Sequence, residues 1–207
     1  MNFEKLKQAE ELFLERYPGG FENPEMIEIG RKHKMDKMIS FTHENFAKGN
    51  FKNPPLIVEN MSKVVSRASM ISLFEKPKFR DYVLSIPFDL KCSLAFGLEE
   101  LLHGEEQKGF ETLLDVLKNG KLGHWPVMTI FQTYFRPEFE VFVKPTTTKW
   151  VIETFELKDL QYKPVPAWAF YEEYRAVIND MKSRVDPFLS PSNAAFTGFL
   201  MMSMPGR

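Results

Sequence analysis

The stretch Phe88-Asp89-Leu90-Lys91-Cys92-Ser93-Leu94-Ala95-Phe96-Gly97-Leu98-Glu99-Glu100-Leu101-Leu102-His103 is apolar almost all the way round a helical wheel. A helix of that kind has no broad polar face and belongs near the centre of a protein. Pro87 ahead of it and Gly104 behind it set its ends. Its neighbours repeat the helical period. Residues 105–118 align Phe110, Leu113, Leu114 and Leu117, and Asn119-Gly120 stops them. Val127 to Phe135 forms another apolar helix, entered through Trp125-Pro126 and ended before Pro137. Upstream, residues 78–86 make a separate helix. Pro54-Pro55 opens the one before it, with Ile57, Met61, Val64 and Val65 on one face. Whether that helix runs on through Met70, Ile71 and Leu73 is open; Pro77 breaks or ends it by removing a backbone donor.

The flanks read the same way. Residues 2–16 place Phe3, Leu6, Ala9, Phe13 and Leu14 at helical spacing, with Asn2 as cap and Pro18-Gly19-Gly20 as stop. Asn23-Pro24 starts a helix that closes at Gly49-Asn50. Its first half is poorly periodic, while Met35, Met38, Ile39, Thr42 and Phe46 give a usable stripe. Residues 138–157 are ambiguous. Phe139, Val141 and Val143 alternate with Glu138, Glu140 and Phe142 as in a strand, so a minor β-hairpin near 138–155 is the most β structure expected. Pro145-Thr146-Thr147-Thr148 is preferred as a cap before a helix carrying Trp150, Val151, Thr154 and Phe155. A helix from Trp168 to about Val185 follows, and Ser190-Pro191-Ser192 starts the last one. The expectation is an all-α, compact single-domain bundle of about nine or ten helices over residues 1–207, with Gly120–Gly123 the best place for any seam.

Composition agrees. The 207 residues suggest one domain, or two small ones, and twenty Phe, eleven Met, six Tyr and three Trp supply a core. No apolar run reaches the roughly 18 residues needed to span a bilayer, and the first residues lack the apolar run of a signal peptide. A single cysteine, Cys92, excludes an internal disulfide framework and a multi-cysteine zinc site. The expectation is a soluble cytoplasmic protein with no membrane partner.

The net charge of −1 is unlike that of most dedicated nucleic-acid binders. The charge is uneven, however. Residues 24–90 carry 11 basic against 8 acidic groups, with a dense run at Arg31, Lys32, Lys34 and Lys37; residues 91–120 carry 3 against 6. A solvated helix face is the bland reading of the run, and a phosphate-facing patch the sharper one.

Catalytic signatures are missing from the sequence. His33, His43, His103 and His124 do not form a two-histidine zinc pair and read as surface or helix-end residues. The serines lack a nucleophile elbow, and the glycines form neither a phosphate loop nor a dinucleotide fingerprint. Glu10-Glu11, Glu99-Glu100 and Glu172-Glu173 are adjacent residues, which do not face each other on a helix. No metal or organic cofactor is implied. The Met and aromatic residues read as core, and Leu200-Met201-Met202-Ser203-Met204 as a buried helix end or, alternatively, an adaptable partner surface.

Several segments together resemble a family of uncharacterised bacterial all-helical proteins. They are Arg16-Tyr17-Pro18-Gly19-Gly20-Phe21-Glu22-Asn23-Pro24 with Arg31-Lys32-His33-Lys34, Arg67 through Leu73-Phe74-Glu75-Lys76 to Arg80-Asp81, Trp125-Pro126-Val127-Met128-Thr129, and Phe135-Arg136-Pro137 through Lys144-Pro145-Thr146-Thr147-Thr148. That family carries no activity over. A local resemblance, from Gly120 and Gly123 through Arg136-Pro137-Glu138-Phe139, is to the helix-hairpin-helix DNA glycosylase fold. It implies a helical scaffold and DNA contact. Lys144-Pro145 stands where the catalytic aspartate would be, and a lysine cannot stabilise a cationic sugar, so base excision by the standard mechanism is not implied. Lys144 then reads as a partner of Glu75 or a helix cap, with a Schiff-base nucleophile as the alternative.

Three functions follow as expectations. The first is a non-catalytic nucleic-acid-associated binding protein, with Arg31, Lys34, Arg67, Lys76, Arg80 and Lys144 on phosphates and Trp125 stacked on a base. The second is an enzyme or binder for a small anionic molecule, in a pocket that gathers Arg31, Lys34, Glu75, Arg80 and Lys144. The third is a helical interaction or homo-oligomerisation module built on the methionine-rich end and exposed Phe residues.

Overall fold

The end signals in the sequence are used as written. Asn2, Asn23, Asn53 and Ser192 each accept a hydrogen bond from a backbone N–H in the first turn of the helix they precede. Pro24, Pro54, Pro126 and Pro145 occupy first-turn positions, where no backbone donor is lost. In the computed structural model, which describes residues 1–203, these ends delimit eleven helices. They are α1 (Phe3–Arg16), α2 (Pro24–His33), α3 (Met35–Asn45), α4 (Pro54–Arg67), α5 (Glu75–Ser85), α6 (Phe88–His103), α7 (Glu106–Asn119), α8 (Trp125–Phe135), α9 (Pro145–Thr154), α10 (Trp168–Lys182) and α11 (Asn193–Met202). Short 3-10 turns cover Gly20–Glu22, Lys48–Lys52 and Pro187–Leu189. No strand occurs among the described residues, and no described helix is long and apolar enough to cross a membrane. Met204, expected at the end of the last helix, lies outside the described residues.

The helix count exceeds the expected nine or ten because residues 24–48 hold two helices. Lys34 takes a left-handed conformation, φ 50°, between α2 and α3. The turn resets the phase of the apolar stripe, which is why a single helical register fitted the stretch poorly. Pro77 does not break a helix. It falls in the first turn of α5, where Ser72 and Glu75 brace the turn ahead of the helix: Ser72 Oγ accepts from the N–H of Phe74, and the Glu75 carboxylate accepts from the N–H of Ser72.

The most buried helix is α8, not α6. Nine of its eleven residues are buried, and it touches α3, α4, α6 and α7. Helix α6 leaves Phe88 66 % exposed and carries Phe96 beneath the Lys108 ammonium. It packs hardest on α7, where Gly97 and Gly109 let the two backbones approach. One hydrophobic core runs from Leu6 to Leu200 and includes Leu117, Leu122 and Trp125 on both sides of the Gly120–Gly123 link.

The expected strand character at 138–143 resolves into a turn through 137–139 and an unpaired run from Glu140 onward. Glu140, Val141, Phe142 and Val143 are buried in succession. Their donors are met by side chains rather than a ladder: Val143 N–H donates to Thr129 Oγ1 at 3.0 Å, and Val141 N–H to the Tyr171 hydroxyl at 3.3 Å. Packing on both sides removes the need for an outward polar face. The segment is tied further by Asn193 and Asn179, both of which donate to the carbonyl of Phe139. It delivers Phe142 and Lys144 to the surface described next.

Candidate functional site

Helix α11, capped by Ser192, turns Ala194, Ala195 and Gly198 to one face, with Gly198 one helical turn beyond the two alanines. Small side chains there leave space. A Cβ on Gly198 would meet nothing nearer than the Phe21 ring at 4.0 Å. Methionines wall the space: Met26 and Met35 from α2 and α3, Met70 from the turn after α4, and Met201 and Met202 from α11 itself. The result is a trough made of two adjoining depressions of about 190 and 220 Å3, which share His33, Met70, Ala194, Gly198 and Met201. The second depression adds Phe142, Tyr174, Lys144 and the hydroxyls of Ser69, Thr147 and Thr197. Neither is lined by an Asp, Glu, Asn or Gln.

Cations flank both ends. Arg31, Lys34 and Lys37 line a wider depression that shares Phe21, Met26, Gly30, Met35 and Ala195 with the trough and holds one acid, Asp36. Lys144 lies at the other end. Beyond it, Thr147 and Met201 lead into a depression holding Lys149, Trp150 and Glu153. The arrangement suits a ligand with negative charge and an apolar body.

His33 and Ser69 form the polar seam of the trough, with Nδ1 and Oγ 2.9 Å apart. A serine beside a histidine is the start of a nucleophile–base pair. No acid is bonded to the other His33 nitrogen among the described residues. Behind Ser69, burial pushes the Tyr134 hydroxyl up to about 12, with Ser69 pulling the other way, so that phenol stays protonated near neutrality.

No family model, curated protein or solved structure matches the chain. The assignment therefore rests on the residues.

Of the residues singled out from the sequence, Arg31, Lys34 and Lys144 line this continuous surface. Arg67 is exposed two residues before Ser69 and lies 4.9 Å from the Phe41 ring, without lining the trough. The other four are placed elsewhere. Trp125 is 0 % exposed, its indole N–H donating to the carbonyl of Lys163 at 2.7 Å. It is a core residue and cannot stack on a base. Arg80 pairs with Asp81 at 2.8 Å, and Lys76 is half-buried in the first turn of α5. Glu75 does not meet Lys144. Its carboxylate is hydrogen-bonded to His124 Nε2, at the entry of α8. That bond holds its pKa below the usual carboxylate value against the opposing effect of burial; the charge of His124 and the Ser72 N–H act in the same direction as the bond. The anion pocket centred on Glu75 is thus not formed. All four histidines stand at or near helix ends and bridge distant parts of the chain: His43 and His103 bond the carbonyls of Phe135 and Phe46.

Two features escaped the sequence. The methionines read as core, with a partner surface as the alternative only for the Leu200–Met204 end, yet five line an open trough; the spacing of Ala194, Ala195 and Gly198 was the available signal. The second is an ion network at the other side of the 138–143 segment. Arg136 pairs with Glu106 at 2.7 Å and with Glu140, and Arg175 pairs with Glu106 at 2.8 Å and with Glu140 at 3.0 Å. The Tyr171 hydroxyl donates to Glu140 at 2.7 Å. Burial works against the charge of Arg175, but Glu140 and Glu106 more than offset it and raise its pKa. Two cations and two anions close on one another, and none of the four lines the trough.

Proposed function

We propose that this chain is a non-catalytic binding protein for an anionic ligand, held in the trough between α2 and α11. The observation that carries the reading is the placement of Arg31, Lys34 and Lys37 at one end and Lys144 at the other end of an apolar, methionine-walled hollow. Cations fixed around a low-dielectric wall attract and orient an anion more strongly than the same groups in open solvent. A second reading, single-stranded nucleic acid laid along the same cations, is favoured by the half-exposed Trp150 beside Lys149 at the far end. That indole is the accessible stacking surface that Trp125 is not.

Salt separates the two readings. Four single-strand phosphate contacts would cost about fiftyfold in affinity between about 50 and 200 mM salt. One anionic group should cost no more than about threefold over the same range. The experiment is titration of the protein with labelled oligonucleotides and with dodecyl phosphate at both salt concentrations, repeated with Arg31→Ala/Lys34→Ala and with Lys144→Ala. Weakening by these changes supports the site. Unaltered binding in all variants, or no binding of either ligand at low salt, would overturn it.

A further inference from the structure

We infer that the ligand of this trough is a single-chain anionic amphiphile, with its alkyl or acyl chain against the methionines and its carboxylate or phosphate at Lys144. This rests on the anion-binding reading above and narrows it. The first ground is what the walls cannot do. A nucleobase buried here would meet no Asp, Glu, Asn or Gln side chain among the described residues, so the paired carboxylate or amide contacts that read a base edge are missing. An alkyl chain needs no partner, and methionine adapts its shape to a flexible guest. The second ground is size. The two adjoining depressions together reach the lower end of the roughly 300–1,000 Å3 of small-ligand pockets, which is room for one alkyl chain.

The third ground is where charge lies. At the α2 end, Arg31 is paired with Glu28 at 3.1 Å, and Lys34 and Lys37 share their hollow with Asp36. At the other end, Lys144 has no ion-pair partner among the described residues, and Ser69, Thr147 and Thr197 line the same depression. A headgroup placed there gains the Lys144 charge and a neighbouring hydroxyl at Thr147, since the Thr197 hydroxyl already donates within α11 and Ser69 is paired with His33. Its tail then follows Gly198 and Ala195 toward Met26.

The test uses the full chain and four probes below their micelle concentrations: dodecanoate, dodecyl phosphate, dodecanol and inorganic phosphate. Calorimetric titration should show dodecanoate and dodecyl phosphate binding far more tightly than inorganic phosphate, because the chain supplies most of the contact. Lys144→Ala should weaken both anionic amphiphiles about tenfold or more and leave dodecanol unchanged. Gly198→Leu fills the hollow and should weaken every chain-bearing probe about tenfold or more, with a thermal melt as the folding check. If that variant does not fold, Ala195→Leu takes its place. If inorganic phosphate or an oligonucleotide binds through Lys144 while the alkyl chain adds nothing, the amphiphile is wrong and the anion site stands. If none of the anions binds, both fall. Equal affinity for dodecanol and dodecanoate would overturn the role given to Lys144.

Discussion

Lys34 shows how one residue serves two demands that conflict. It ends α2 with φ 50°, where glycine is the usual occupant and a side chain costs roughly 1 kcal/mol. Its ammonium also lines the basic end of the trough. A glycine would fit the turn better and remove the charge. Lys34→Gly is therefore expected to raise the melting temperature by about 2–4 °C while weakening binding of an anionic oligonucleotide. Calorimetry and titration on the same preparation read both. A loss of stability would mean that the lysine is held there by a contact, not tolerated for its charge. The turn could be sensed in the sequence only as a failure of periodicity between Met26 and Phe41, because no glycine or proline marks it. Glu75 illustrates the reverse. Its link to Ser72 is local, three residues apart in the sequence, and needs no distant partner.

At the scale of elements, helix ends were the most legible feature and helix environments the least. Asparagine, serine and proline act locally, so Asn23-Pro24 and Ser190-Pro191-Ser192 mean the same thing in the chain and in the fold. Burial depends on what lies opposite. Helices α6 and α8 both read as apolar, but α6 carries Asp89, Lys91, Glu99 and Glu100 while α8 carries no charged residue, and only α8 is enclosed. The crossing of α6 and α7 had a signal in two glycines that no local rule picks out. A Cβ on Gly109 would stand 2.2 Å from the Leu101 nitrogen and 2.6 Å from the Gly97 carbonyl oxygen, both backbone atoms that cannot yield without moving a helix. Gly109→Ala should cost about 2–3 kcal/mol and lower the melting temperature by about 6–10 °C. Gly198→Ala, with open space beside it, should be neutral or stabilising by up to about 1 kcal/mol. Should the two alanines behave alike, the close crossing is not what fixes Gly109.

At the scale of the whole molecule, the fold class was legible and the tertiary network was not. Glu106, Arg136, Glu140 and Arg175 come from four parts of the chain; only Arg136 and Glu140, four residues apart, hint at each other. The network joins α7, the end of α8 and α10 to the segment that continues through Phe142 to Lys144. Each cation is held by the same two carboxylates, and Glu140 is 1 % exposed. Removing one cation leaves an excess of buried negative charge, whereas removing one of each sign leaves the Arg136–Glu106 pair intact. Arg175→Met alone should therefore cost about 3–5 kcal/mol in denaturant unfolding. Glu140→Leu should also be destabilising, since it strands part of Arg175 and the Tyr171 hydroxyl. The double variant should cost less than the sum of the two by at least about 2 kcal/mol. Additive losses would show that the four groups act as separate contacts rather than one closed set. The same variants probe the link to the trough. If the network fixes the 138–144 segment, Arg175→Met should weaken dodecanoate binding without touching any residue that lines the site, and the double variant should recover part of it. Unchanged affinity across the series would confine the network to stability.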